Sequence, residues 1–189
     1  MYRAQAMSPP VFVVATNVVV AGLITDSGDS PVASVLDAML SGALLCLLSP
    51  ALMDEYRSVL LRPKLVKLHG LAEAEVDQLL VELTANAIWR EPDSASPAPD
   101  RGDDHLWALL GAYSGSILIT GDRLLLENPP VSSSVMSPKR RSVAPYQHAS
   151  EARRIGGDQQ TSVPLAPGHK TQKGAQRSRI RRLPLLNVR

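Results

Sequence analysis

The chain has 189 residues, a length typical of a single domain, and 44% of them are hydrophobic, which is enough to build a core. Its single cysteine, Cys46, excludes an intramolecular disulfide and a cysteine-based zinc site, and it is typical of a protein in a reducing cytoplasm. The apolar run near the N-terminus covers only about 14 residues and is interrupted by Thr16 and Asn17. We therefore expect a cytoplasmic protein without a membrane span.

Strands and helices are predicted to alternate along the chain. Continuous β-branched runs indicate strands covered on both faces, and apolar residues at i, i+3 and i+4 indicate helices. The predicted elements are a strand at 11–16, a helix at 32–40, a strand at 44–48, a helix at 51–61, a basic connector at 62–70, a helix at 72–85, a strand at 87–89, a loop at 94–102, a helix at 103–113, and strands at 116–120 and 134–137. This order predicts a three-layer α/β/α domain with a mainly parallel sheet.

The charge is unevenly distributed, although the net charge is only +2. From residue 139 onwards there are twelve basic and two acidic residues, whereas the preceding part has eight basic and sixteen acidic residues. An acidic body does not favour simple electrostatic binding of nucleic acid, but it suits carboxylates gathered around a metal ion. The chain is therefore divided into a flexible N-terminus at 1–10, a domain at 11–138 and a basic tail at 139–189.

The tail has no sustained apolar period and is rich in Pro, Gly, Gln, Ser and Arg, so we expect it to be disordered. The apolar periodicity of the preceding domain stops abruptly where the tail begins, which favours a coding sequence shifted out of frame. A basic RNA-binding arm is the competing interpretation, but the tail lacks aromatic or Gly-Arg repeats.

Acidic side chains follow several of the predicted strands. Glu55 lies on the helix after the second strand, the pair Asp103 and Asp104 begins a later helix, and Asp122 follows the strand at 116–120. Sites in parallel sheets form at the carboxyl ends of strands, and carboxylates that converge there need a cation between them. Mg²⁺ or Mn²⁺ is the simplest choice, because both prefer oxygen ligands. Taken alone, Asp103 and Asp104 are as well explained by a helix's first turn as by a ligand role, whereas Glu55 is better explained as a solvated helix residue and Asp122 as part of an ordinary turn.

The order of the motifs resembles the PIN domain, and in particular VapC-like toxin components of bacterial toxin–antitoxin systems, over residues 11–138. The motifs are Thr16-Asn17 after a strand, Ser49-Pro50-x-Leu52-x-x-Glu55-Tyr56, Arg62-Pro63-Lys64, Asp100-x-x-Asp103-Asp104 and Ile119-Thr120-Gly121-Asp122. The resemblance implies a ribonuclease that uses Mg²⁺ or Mn²⁺, with an antitoxin partner. The same resemblance implies that RNA is the substrate, and it is compatible with a homodimer.

By position, the resemblance implies that Glu55 and Asp122 are metal ligands and that Thr16, Asn17 and Thr120 support the site. The third acid is Asp103 or Asp104. Asp103 is favoured by its helical spacing to the apolar face, which leaves Asp104 as a supporting residue or a ligand of a second ion.

The sequence departs from the family at its first acid. Family members have Asp-Thr-Asn where this chain has Ala15 followed by Thr16 and Asn17. Alanine offers no oxygen to a metal, so we expect activity lower by a factor of about 10² or more. The alternative is a catalytically inactive PIN-like module that binds RNA or an antitoxin.

Four further residues have polar side chains that suit contact with RNA. Arg57, Arg62 and Lys64 lie near the Glu55 helix and could bind phosphates, although solvated charge is the simpler interpretation. His105 could meet a phosphate or move a proton, but the pattern favours a surface helix residue.

Overall fold

A computed structural model describes residues 9–92 and 97–138 of the chain. The expected flexibility of residues 1–8, the conformation of residues 93–96 in the predicted loop and the expected disorder of the tail at 139–189 concern residues outside the described part. Within that part, no helix is long and apolar enough to cross a membrane.

Five short strands and seven helices make up the described domain. In chain order they are β1 (Phe12–Val14), α1 (Thr16–Ile24), α2 (Pro31–Leu40), β2 (Cys46–Leu48), α3 (Pro50–Leu60), α4 (Pro63–His69), α5 (Glu73–Ala85), β3 (Ala87–Trp89), a 3₁₀ turn (Arg101–Asp103), α6 (Asp104–Gly111), β4 (Ile117–Ile119), α7 (Arg123–Glu127) and β5 (Ser134–Met136). The predicted strand–helix alternation is confirmed.

The five strands form one parallel sheet in the order β3-β2-β1-β4-β5. This sheet confirms the predicted three-layer α/β/α class. The chain leaves β1 toward β2 and β3, and then returns to the opposite side of β1 to form β4 and β5. The strand order therefore reverses at β1, and open parallel sheets place their sites at such a reversal, beyond the carboxyl ends of the strands.

The core is aliphatic, as the composition of 4% aromatic residues requires. Every residue of β1 and β2 is buried, because helices cover both faces of the sheet. Cys46 is buried in β2, and burial raises the pKa of its thiol to about 12, so the thiol packs in the core in its neutral form. Helix α1 packs closely on α2: a side chain at Gly22 would start 2.8 Å from the carbonyl oxygen of Val32.

The predicted first strand ends too late. Strand β1 stops at Val14, and Thr16 is the first residue of α1, although Val18, Val19 and Val20 favour strands. Burial of α1 against its neighbours outweighs that local preference, because helix propensities differ by well under 1 kcal/mol per residue.

The connector predicted at 62–70 is wrong, since Pro63–His69 forms helix α4. Proline is well suited to the first position of a helix, where its missing N–H is not needed. Gly70 ends α4 with a left-handed φ of 70°. His69 is buried beneath it: its Nδ1 accepts from Leu71 N at 3.0 Å, and its Nε2 lies 2.9 Å from Leu60 O. The turn from α4 into α5 is thus held by a side chain.

Candidate active site

The carboxyl end of β1 lies between the ends of β2 and β4. Ala15 follows β1 directly, is only 3% exposed and occupies the N-cap position of α1 without any side-chain cap. Its N–H donates to Ile119 O in the adjacent strand at 2.9 Å. Position 15 is therefore at the centre of the sheet edge where a site is expected.

A hydrogen-bond network joins the end of β1 to the end of β4. The Asn17 amide donates to Thr120 Oγ1 at 3.2 Å, and its oxygen accepts from Gly121 N at 3.1 Å. Thr120 Oγ1 also accepts from Asp122 N at 3.0 Å. The structure thus brings together Asn17, Thr120 and Asp122, which the sequence placed in two segments more than 100 residues apart. Because both ends of the Asn17 amide are engaged, its main contribution here is to hold the two strand ends in register.

Asp122 is the N-cap of α7, a helix that the sequence did not predict. Its Oδ1 accepts from Leu124 N at 2.7 Å and from Leu125 N at 3.4 Å. These bonds leave the second carboxylate oxygen of Asp122 available for other contacts. The capping interaction fixes the orientation of this side chain.

Glu55 of α3 makes its closest contact with His105 of α6. His105 Nε2 lies 2.7 Å from Glu55 Oε2, which makes the contact an ion pair when His105 is protonated. The pKa of Glu55 is lowered, mainly by His105 and against the opposing effect of burial, with smaller contributions from Thr16 and Arg62. The pKa of His105 is raised, mainly by Glu55. His105 is therefore part of the site, and its assignment as a surface residue is wrong, since its side chain is only 17% exposed.

The two neighbouring aspartates at the start of α6 have different surroundings. The pKa of Asp103 is raised by partial burial and by the negative charges of Asp100, Asp122 and Glu55. Asp104 instead accepts from Ala98 N at 2.8 Å and ties the preceding loop to α6. Asp103 is therefore the member of the pair whose charge interacts with the other two acids.

Three polar atoms next to these acids are buried without a regular hydrogen-bond partner. They are Thr16 Oγ1, Glu55 Oε2 and His105 Nε2. Glu55 Oε2 and His105 Nε2 are the two atoms of the 2.7 Å ion pair, and Thr16 contributes to the lowered pKa of Glu55, so these three side chains interact with one another. The site thus combines carboxylates from three separate segments with a contact among Thr16, Glu55 and His105.

This arrangement of a parallel sheet and converging acids agrees with the comparison against protein families. A family model described as PIN domain matches residues 11–124. The chain belongs to the PIN domain family. PIN domains are generally nucleases, which makes a nuclease the coarse class of this chain. Neither the curated proteins nor the solved structures contain a match to it.

PIN domains typically use divalent metal ions, so the fit of the present residues to such an ion matters. Within residues 9–92 and 97–138, no three His, Cys, Asp or Glu side chains come together as a metal-binding group. Glu55 is paired with His105, and position 15 carries a methyl group instead of a carboxylate. Glu55, Asp103 and Asp122 offer the oxygen ligands that such an ion prefers, but the set is incomplete because position 15 carries no carboxylate.

The basic residues predicted to contact RNA differ in whether carboxylates of the protein already bind them. The Arg57 guanidinium is held at 2.7 Å by Asp77 and at 2.5 Å by Glu73, both of α5. Arg62 is exposed and close enough to Glu55 to lower its pKa, and Lys64 is exposed on α4. Arg62 is thus the cation best placed to meet a ligand at the acidic site, whereas Arg57 joins α3 to α5.

Two contacts in the site were hardly predictable from the sequence. One is the pairing of Glu55 with His105, whose only signal was a histidine two residues after Asp103. The other is the buried Tyr56 hydroxyl, which donates to Val14 O at the end of β1. This bond fixes α3, and so the neighbouring Glu55, against the central strand.

Proposed function

We propose that this PIN domain is a ribonuclease, the toxin component of a bacterial toxin–antitoxin system, whose Mg²⁺- or Mn²⁺-dependent cleavage is weakened by the loss of one acid at position 15. The observation that carries the proposal is the match of the PIN domain model to residues 11–124. The order of the acids along the chain supports it: Glu55 lies on the helix after β2, Asp103 precedes α6, and Asp122 follows β4.

The weakened cleavage follows from the set of acids near the end of β1. A hard divalent ion needs several oxygen ligands, and its attraction must exceed the repulsion between the carboxylates that hold it. Glu55, Asp103 and Asp122 supply three carboxylates, but one of them is already paired with His105. A fourth carboxylate at position 15 would lie at the end of β1, where the chain has Ala15.

The partner and the compartment follow from the same family resemblance. We infer an antitoxin that blocks the acidic site and a cytoplasmic location, where RNA is the substrate. A homodimer is compatible with this proposal. Arg62 and Lys64 are the residues that we assign to binding RNA phosphates, because both are exposed and Arg62 lies near Glu55.

Cleavage of a labelled single-stranded RNA tests the proposal. The wild-type chain should cut slowly with Mn²⁺ and stop with EDTA, and Asp103→Asn should abolish cutting. Asp104→Asn is the matched control, since Asp104 contacts the loop rather than the other acids. Equal activity of wild type and Asp103→Asn would contradict the assignment of the site, and cleavage that persists in EDTA would contradict the dependence on a metal.

A second candidate function is a catalytically inactive module that binds RNA or an antitoxin. It is favoured by the absence, within the described part of the chain, of three metal-binding side chains in one group. The two candidates differ in the effect of Ala15→Asp. Cleavage by this variant but not by wild type would favour the inactive module, and equal cleavage by both would show that position 15 is not the missing ligand.

A further inference from the structure

Trp89 is the exposed aromatic side chain of the described domain. Phe12, Tyr56 and Trp107 are buried, Tyr113 is half-buried, and Trp89 is 42% exposed. One exposed apolar residue is ordinary in a soluble protein. Its position in the fold is what makes this one informative.

Trp89 is the last residue of β3, at the same edge of the sheet as the acidic site. It is in register with Leu48, the last residue of β2, and Arg90 N donates to Leu48 O at 2.9 Å. The residue after Leu48 is Ser49, the N-cap of the helix that carries Glu55. Because β3 is two strands away from β1, its end lies about 10 Å from the end of β1. About three stacked nucleotides span that distance, at roughly 3.4 Å each.

The polar atoms around Trp89 suit a nucleotide. The indole N–H donates to Glu91 Oε1 at 3.3 Å, so the polar edge of the ring already has its partner, while 42% of the residue remains exposed to a ligand. Arg90 is exposed, and its Nη1 donates to Trp89 O at 3.1 Å, which holds the guanidinium at the end of the strand. An aromatic face beside a cation is the combination that binds single-stranded nucleic acid.

We propose that Trp89 and Arg90 form a docking position for single-stranded RNA, with a base stacked on the indole and a phosphate bound by the guanidinium. This inference rests on the proposed function, because it takes RNA as the ligand of the same sheet edge. The RNA then crosses the carboxyl ends of β3, β2 and β1, and the stacked base fixes which phosphate reaches the acids.

The intrinsic fluorescence of the full chain tests stacking directly. The chain has two tryptophans, and Trp107 is only 7% exposed, so quenching by a ligand in solution reports mainly on Trp89. A six-nucleotide oligouridine in EDTA should quench the exposed component, and a duplex RNA of equal length should quench it far less. Absence of quenching at saturating oligouridine would overturn the proposal.

Substitutions separate stacking from charge. Trp89→Ala should weaken oligouridine binding about 5- to 150-fold, whereas Trp89→Phe should stay within a few-fold of wild type. Arg90→Gln should weaken binding and lower the salt dependence by about 0.7 in slope. Val81→Ala is the matched control, because Val81 is 63% exposed on α5 and should have no effect. Anisotropy of a labelled oligonucleotide measures all four, and circular dichroism verifies their folding.

Failure of the proposed docking position can be distinguished from failure of the proposed ribonuclease function. Quenching together with tight binding by a chain that cuts no RNA would support the docking position and contradict the ribonuclease. If the wild-type chain cleaves RNA and the Trp89→Ala variant binds oligouridine as tightly as wild type, the docking position alone is overturned. The exposed indole would then favour contact with a protein partner. The basic residues from 139 onwards are present in every variant, so a difference between variants reports on the substituted residue.

Discussion

Replacement of Ala15 by aspartate should restore the missing carboxylate. It should change the stability in two separable ways, by capping α1 and by adding a negative charge. Position 15 is the N-cap of α1, with extended backbone angles of −70° and 152° and no side-chain cap. Asp and Asn are equally good caps, each worth about 1 kcal/mol relative to alanine. Ala15→Asn therefore measures the cap alone, and Ala15→Asp adds one negative charge.

Without a metal, the added charge should oppose the cap. The new carboxylate joins Asp103, whose pKa is already raised by burial and by neighbouring carboxylates, so like-charge repulsion should make Ala15→Asp less stable than Ala15→Asn. With Mn²⁺ at 100 times its dissociation constant, the aspartate variant should gain about 2.7 kcal/mol. For a domain of this size that corresponds to a rise of about 10 °C in the melting temperature.

Thermal unfolding followed by circular dichroism, with Mn²⁺ and with EDTA, measures both effects. Wild type and Ala15→Asn should respond weakly to the metal, since neither adds a carboxylate. If all three chains gained equally from Mn²⁺, the carboxylate at position 15 would not be the missing ligand. If Ala15→Asp were as stable in EDTA as Ala15→Asn, the acids would not converge as described.

Four other substitutions test the supports of the site and the binding of RNA. Tyr56→Phe removes the hydroxyl that satisfies a buried main-chain carbonyl of β1, and should cost about 1–3 kcal/mol in urea unfolding; no loss would contradict that bond. The pKa of His105 is raised by Glu55, so its stabilising contribution is complete below about pH 6.5 and is lost as the pH rises through the folded-state pKa. The stability advantage of wild type over His105→Gln should therefore be larger at pH 6 than at pH 9, and a constant difference would refute the pairing. Arg62→Gln should weaken RNA binding more than Arg57→Gln, because Arg57 is held by two carboxylates of α5; the reverse order would show that Arg57 leaves them to bind RNA.

The parallel sheet was predictable because its signals are local. Continuous apolar runs mark strands buried on both faces, and the helical spacing between them dictates parallel connections. The errors in the predicted elements also have local causes. The basic segment from Arg62 to Gly70 was predicted as a connector although Pro63 begins α4, and the valines of α1 favour a strand by propensity but are helical through packing.

By itself, the sequence determined the fold class, the set of acids and the absence of a carboxylate at position 15, because each depends on residue identity and short-range spacing. The tertiary structure decided which polar groups meet. Asp103 is the last residue of a 3₁₀ turn and interacts with the other acids, while its neighbour Asp104 binds the loop. Glu55 pairs with His105 across two helices that lie 50 residues apart in the chain. Such contacts depend on the relative placement of whole elements, and residue spacing carries no information about that placement.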